Sequence, residues 1–244
     1  MNRSRINLFF LPFAGGSRFS YRVYEKILPH YIKMIPLEYP GRGNRAGESL
    51  LTNADILADD LYHQVATIIS NNEHYAIFGH SMGGLMSYLL TRKIKLRRHP
   101  LPLHLFITGT AGPFALTRGH RKVHLLNKLE FIEEIKSLNG CPPEILQNNE
   151  LLNYFEPILR ADFATTENYV YTNHAPFNIP MTVITGREED LAWDDVQSWQ
   201  RETVLPVDFR YIQGDHFFIF KDPEAVVEII IQKIKSYFKS FRYE

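Results

Sequence analysis

Short runs of β-branched and aromatic residues recur along the chain, each followed by a longer stretch whose apolar positions repeat at helical spacing. The runs Ile6 to Leu11, Ile32 to Leu37, Tyr75 to Phe78, Leu103 to Thr108, Met181 to Thr185 and Val207 to Ile212 have the length and composition of strands. Between them, Tyr21–Leu28, Ala54–Ile69, Gly83–Lys93, Asp194–Glu202 and Glu224–Tyr237 carry the helical repeat. Thr52 and Asp222 are placed to cap two of these helices, and Pro223 suits a first helical turn. Such alternation predicts a mostly parallel sheet with helices on both faces, an α/β fold.

One segment departs from the alternation. From Thr117 to Tyr171 the apolar positions (Leu129, Ile132, Ile135; Leu151, Leu152, Phe155; Ile158, Leu159, Phe163) are helical, broken by Gly140, Pro142 and Pro157, and no strand intervenes. An insertion of this kind between two strands predicts a helical lid over the carboxyl edge of the sheet. The chain then divides into a first core part at 1–116, a lid at 117–171 and a second core part at 172–244. Ordinary crossover helices without a gating role would give the same periodicity.

Composition narrows the function classes. Lys plus Arg and Asp plus Glu both number 27 in 244 residues, so no global charge favours nucleic acid as a partner. The single cysteine, Cys141, cannot form an intrachain disulfide and has no ligand partner at metal spacing, so it reads as a loop thiol and no metal is expected. The basic start before Ile6 breaks at Pro12 without a small-residue cleavage site, and no apolar run reaches the length of a membrane span. A soluble, cytoplasmic monomer is the expectation, with no membrane or nucleic-acid partner.

Candidate chemistry centres on Gly79-His80-Ser81-Met82-Gly83-Gly84, between a strand and a helix. A serine on so sharp a turn needs flanking glycines, and the turn lifts its hydroxyl out of the sheet beside the positive end of the next helix. The pattern reads as a nucleophile elbow and, with the alternation, as an α/β-hydrolase fold. Serine is a poor nucleophile unless a base takes its proton, an acid orients that base, and donors meet the oxyanion. Of ten histidines, His216 alone directly follows a late strand, in Gln213-Gly214-Asp215-His216-Phe217-Phe218; His80 is expected on the opposite side of the elbow as a packing or hydrogen-bonding residue. The acid is expected after the strand ending at Thr185, within Gly186-Arg187-Glu188-Glu189-Asp190, with Asp190 first and Glu189 second. Backbone N–H groups of Met82 and of Ala14, in Pro12-Phe13-Ala14-Gly15-Gly16, are the candidate oxyanion donors.

Five motifs taken together are more specific than the elbow. Pro12-Phe13-Ala14-Gly15-Gly16, Pro40-Gly41-Arg42-Gly43, Gly79-His80-Ser81-Met82-Gly83, Arg160-Ala161-Asp162-Phe163 and Gly214-Asp215-His216-Phe217-Phe218 resemble, in order and rough spacing over nearly the whole chain, the type II thioesterases of non-ribosomal peptide and polyketide synthesis. The resemblance implies removal of misprimed or stalled acyl groups from the phosphopantetheine arm of carrier proteins, with no cofactor of the enzyme's own. It implies Ser81 as nucleophile, His216 as base, Asp190 or Glu189 as acid, and Met82 and Ala14 as donors. The family's usual aspartate falls nearer Glu189 than Asp190 in this chain. Phe13, Phe217 and Phe218 are candidates for lining an acyl entrance. Arg42 reads more readily as a surface turn residue than as a phosphate contact. Likewise the basic run Arg92 to Arg98 reads as a solvated helix end before it reads as a carrier dock. An ester hydrolase or acyltransferase would use the same triad; a binding module would not need it.

Overall fold

The computed structural model describes residues 5–71, 73–115, 117, 121–138 and 147–240. Cys141 and His120 lie outside them.

Six strands, β1 (Ile6–Leu11), β2 (Ile32–Pro36), β3 (Tyr75–His80), β4 (Leu105–Thr108), β5 (Met181–Gly186) and β6 (Asp208–Ile212), form one sheet in the order β2-β1-β3-β4-β5-β6. Every pairing is parallel. All residues of β1, β3, β4 and β5 are buried, which is why these strands read as continuous apolar runs. Successive side chains serve opposite faces. Phe9 and Leu11 join Ile77, Ile107 and Val183 in one core, against helices α2 (Ala54–Ser70) and α3 (Met82–Leu96). Leu8 and Phe10 join Phe78, Phe106 and Ile184 in the other, against α1 (Arg22–Ile27) and the last helix, Pro223–Ser240.

Differences from the expected elements have local causes. Helix α2 is capped by Asn53, whose side chain accepts the N–H groups of Asp55 and Ile56, and not by Thr52. Asp222 accepts the Ala225 N–H at 3.0 Å and so closes the first turn of the last helix. The expected helix at Asp194–Glu202 is divided into Trp193–Gln197 and a tighter 3-10 stretch, Ser198–Glu202, while Trp199 is fully buried and its indole N–H donates to the Thr110 carbonyl at 3.0 Å.

Between β4 and β5 the described residues contain α4 (Lys128–Ser137) and α5 (Asn149–Glu167). Phe131, Ile135, Leu159 and Val123 make a small separate core there. Arg160 on α5 ties the group together, donating to the carbonyls of His124 and Leu126 at 2.9 and 2.8 Å and lying over the Phe131 ring. Helix α6 is Trp193–Gln197, α7 is Phe218–Lys221 and α8 is Pro223–Ser240. No helix among the described residues is long and apolar enough to cross a membrane.

Candidate active site

The chain reverses its lateral direction in the sheet between β1 and β3, and ligands of parallel sheets bind at the carboxyl ends beside such a switch. Ser81 stands there, between the last residue of β3 and the first of α3. Its φ of 54° and ψ of −117° lie where a side chain crowds the backbone. The conformation is held by the Ser81 N–H donating to the Thr108 carbonyl at 2.8 Å and the Ser81 carbonyl accepting the Gly84 N–H at 2.9 Å. Gly79 and Gly83 are required by contact: a Cβ would lie 2.1 Å from the Gly83 carbonyl oxygen in the first case and 2.2 Å from that of Leu11 in the second. The Ser81 side chain makes no capping bond to its own helix, so its hydroxyl remains available to the cavity it lines.

His216 lies in the turn after β6 and lines the same cavity. Its Nδ1 is 2.5 Å from Oε1 of Glu189, a carboxylate whose side chain is only 3% exposed. The other oxygen, Oε2, accepts the Gly186 N–H at 3.0 Å. With Nδ1 engaged by a carboxylate, the neutral ring keeps its lone pair on Nε2, the state a general base requires. Asp190, ranked first from the sequence, is exposed and is not the carboxylate at His216. The reason is the turn itself: Glu188 N–H donates to the Gly214 carbonyl and Glu189 N–H to that of Gly186, which brings the Glu189 carboxylate back to the Gly186 N–H at the end of β5. Glu188 faces outward and accepts from Gln213 at 2.5 Å.

His80 is not among the residues lining the cavity and has the expected packing and hydrogen-bonding role. Its fully buried ring sits 4.8 Å, centroid to centroid, from that of His216, and its Nδ1 is 2.9 Å from Thr108 Oγ1. Burial, and then the His216 charge, hold its pKa well below the usual histidine range. Phe13 and Phe217 pack edge-on against each other at 5.2 Å and both meet the His80 ring.

Two backbone donors face the serine's surroundings. Met82 is the first residue of α3, so its N–H has no acceptor one turn back in the helix. After β1 the Gly15 N–H donates to Asp162 Oδ2 at 2.7 Å and the Gly16 N–H to the Phe13 carbonyl at 2.9 Å. Ala14 lines the cavity, and no acceptor for its N–H occurs among the described residues.

Arg42 is neither a surface residue nor open to a phosphate. Buried with Asp162, it donates through Nη1 and Nη2 to the two carboxylate oxygens at 2.5 and 2.7 Å, and through Nη1 to the Gly16 carbonyl at 3.3 Å. The sequence showed both residues within glycine-rich or helical motifs but not their pairing.

Above Ser81 opens a cavity of about 360 Å³. Helix α4 contributes Ile135, helix α5 contributes Phe155, Leu159 and Phe163, and the sheet side contributes Phe13 and Phe217. Phe218 is not among the lining residues; it is fully buried in the core. The basic run at the end of α3 is largely engaged: Lys93 and Arg97 pair with Asp59 at 2.8 and 2.9 Å, and Lys95 donates to the Ala175 and Pro176 carbonyls. No group of three potential metal ligands occurs among the described residues.

The family model described as thioesterase domain matches residues 6–234. The gramicidin S biosynthesis protein GrsT of Aneurinibacillus migulanus is 31% identical over 233 residues, spanning 95% of this chain and 90% of that protein. Among solved structures, ClbQ from the colibactin NRPS/PKS pathway is 34% identical with a TM-score of 0.88, covering 96% of this chain and 98% of its own. YbtT, a type II thioesterase from the yersiniabactin NRPS/PKS pathway, is 27% identical with a TM-score of 0.86, covering 96% and 94%.

Proposed function

The chain belongs to the thioesterase family, and on that footing we propose that Ser81, His216 and Glu189 hydrolyse acyl thioesters borne on the phosphopantetheine arm of carrier proteins in non-ribosomal peptide or polyketide assembly. The observation that carries the assignment is the Glu189-bound His216 sharing one cavity with a serine held at positive φ. Relatives that serve such pathways support the carrier-bound substrate.

The steps follow from the atoms present. Ser81 Oγ attacks the thioester carbonyl carbon as His216 Nε2 removes its proton, and Glu189 stabilises the imidazolium through Nδ1. The N–H groups of Met82 and Ala14 receive the negative oxygen of the tetrahedral intermediate. Its collapse breaks the carbon–sulfur bond, and the departing sulfur takes the proton from His216. Water then attacks the acyl-serine ester, giving its proton to His216, which returns it to Ser81 Oγ as the free acid leaves.

Nucleophile, base, acid and donors all come from one chain, so the reaction calls for no metal or cofactor and is compatible with a monomer acting in the cytoplasm. The apolar walls of the cavity suit removal of stalled or misprimed acyl groups that the assembly line fails to pass on. The test is turnover of an acyl group loaded on a carrier protein against the same acyl group as an oxygen ester, with fluorophosphonate labelling of wild type and Ser81→Ala. Faster release from the carrier, with labelling lost in Ser81→Ala, supports the reading. Preference for the oxygen ester would favour a carboxylester hydrolase, and acyl transfer to an alcohol in place of water an acyltransferase.

A further inference from the structure

Three separate segments converge on the loop that follows β1. Asp162 comes from α5, in the layer above the cavity; Arg42 comes from the turn after β2; Gly15 and Gly16 belong to the loop itself. Asp162 Oδ2 accepts both the Gly15 N–H at 2.7 Å and Arg42 Nη1 at 2.5 Å, while Arg42 Nη1 also reaches the Gly16 carbonyl. Gly15 has a φ of 76°, and a Cβ on it would lie 2.5 Å from Leu159 Cδ2, so α5 rests directly on this peptide.

A buried ion pair is a weak source of stability, because desolvation offsets most of the attraction. Its value here is directional. The Ala14 N–H stands between two fixed points: the Gly16 N–H bonded back to the Phe13 carbonyl, and the Gly15 N–H bonded to Asp162. With both neighbours held, the Ala14 peptide cannot rotate. Charge matters as well, since an isolated carboxylate so near a developing oxyanion would oppose it in a low-dielectric site. The guanidinium cancels that charge while leaving Oδ2 able to accept.

We propose that Asp162 and Arg42 are positioning residues for the oxyanion hole, through which the seating of helix α5 on the Gly15 peptide sets the aim of the Ala14 N–H. The inference rests on the assignment of Ser81 and the Ala14 donor given above.

Asp162→Ala, Arg42→Gln and the neutral pair Arg42→Gln/Asp162→Asn test it, the last keeping an amide carbonyl for the Gly15 N–H without leaving either charge alone. Two quantities are read: kcat and KM on an acyl-pantetheine thioester, and the rate of Ser81 phosphonylation by a fluorophosphonate. Asp162→Ala is expected to lower kcat and phosphonylation together by about 100-fold, with KM within about twofold. The neutral pair is expected to recover both to within about tenfold of wild type. Should Asp162→Ala not fold, the order of the other two decides: Arg42→Gln alone, with an uncompensated carboxylate, must be slower than the neutral pair. A raised KM with unchanged kcat, an unchanged phosphonylation rate, or the reverse order of those two variants overturns the proposal. Wild type that phosphonylates at Ser81 yet leaves thioesters intact would sink the thioesterase assignment instead, and the phosphonylation series would still judge the clamp.

Discussion

Glu189 holds His216 by one carboxylate oxygen and the end of its own strand by the other: Oε1 is 2.5 Å from Nδ1, and Oε2 accepts the Gly186 N–H at 3.0 Å. The acid is thus fixed at both ends before any substrate arrives. Removing it by Glu189→Gln should lower kcat by on the order of 10³–10⁴, as expected when the base loses its orienting charge. Glu189→Asp, one methylene short, should retain intermediate activity, and Asp190→Ala should match wild type. Steady-state hydrolysis of a carrier-bound acyl group checks all three, and a severe loss in Asp190→Ala would contradict the geometry.

His80 and His216 lie ring against ring, and burial holds the His80 pKa well below the usual histidine range. Desolvation is the larger cause and a charge on His216 the second, so His80 stays neutral. The acid limb of log kcat/KM against pH should therefore have a limiting slope of one, with no contribution from His80. A slope of two would show both rings accepting protons.

A second buried histidine governs stability in acid. His104 immediately precedes β4 with Nε2 2.8 Å from Thr182 Oγ1, and burial, with Lys233 next in importance, lowers its pKa to about 3. Its folded pKa lies below the unfolded value of about 6.5, so above that pH both states are neutral and full stability is present. As pH falls from about 6.5 to 3 only the unfolded state binds the proton, and stability declines by up to about 1.4 kcal/mol per pH unit. Urea midpoints across that range should fall less steeply in His104→Gln, by about one proton's worth.

The close approach of α3 to β1 makes Gly83 intolerant of any side chain. Its Cβ would meet backbone oxygens of Leu11 and Pro12 at 2.2 and 2.8 Å, and backbone does not yield as a flexible side chain would. Gly83→Ala should cost about 3 kcal/mol or more, a fall of roughly 6–12 °C in Tm. Gly47→Ala, where a Cβ meets nothing within 4 Å, should leave Tm near wild type in the same thermal scan.

Lys93 and Arg97 share Asp59, an arrangement of partly exposed charges that speaks for a structural role. Reversing both should destabilise by about 1 kcal/mol and leave turnover of carrier-bound substrate unchanged. Slower turnover at equal fold stability would restore the basic run as a docking surface.

What could be read from the chain, and what could not, separates along physical lines. Strands β1, β3 and β5 were legible because burial on both faces leaves uninterrupted apolar runs, and β1 begins and ends at the residues anticipated. The elbow was legible because its glycines are demanded by contacts within a few residues and with the adjoining strand. The acid was not, because Glu188, Glu189 and Asp190 differ only in how a turn is folded, and that turn is set by the Gly214 carbonyl in the turn after a different strand. Arg42 and Asp162 lie 120 positions apart, and neither residue alone announces a partner.

The serine follows β3, one donor follows β1, and the acid and base follow β5 and β6, the last strand to be added to the sheet. These contacts are all distant in sequence, the kind that form late in folding. A nascent chain that ends before β6 carries the hydroxyl but no imidazole to activate it. On the proposed assignment of Ser81 and His216, hydrolytic competence therefore arrives only once the chain has passed its final strand.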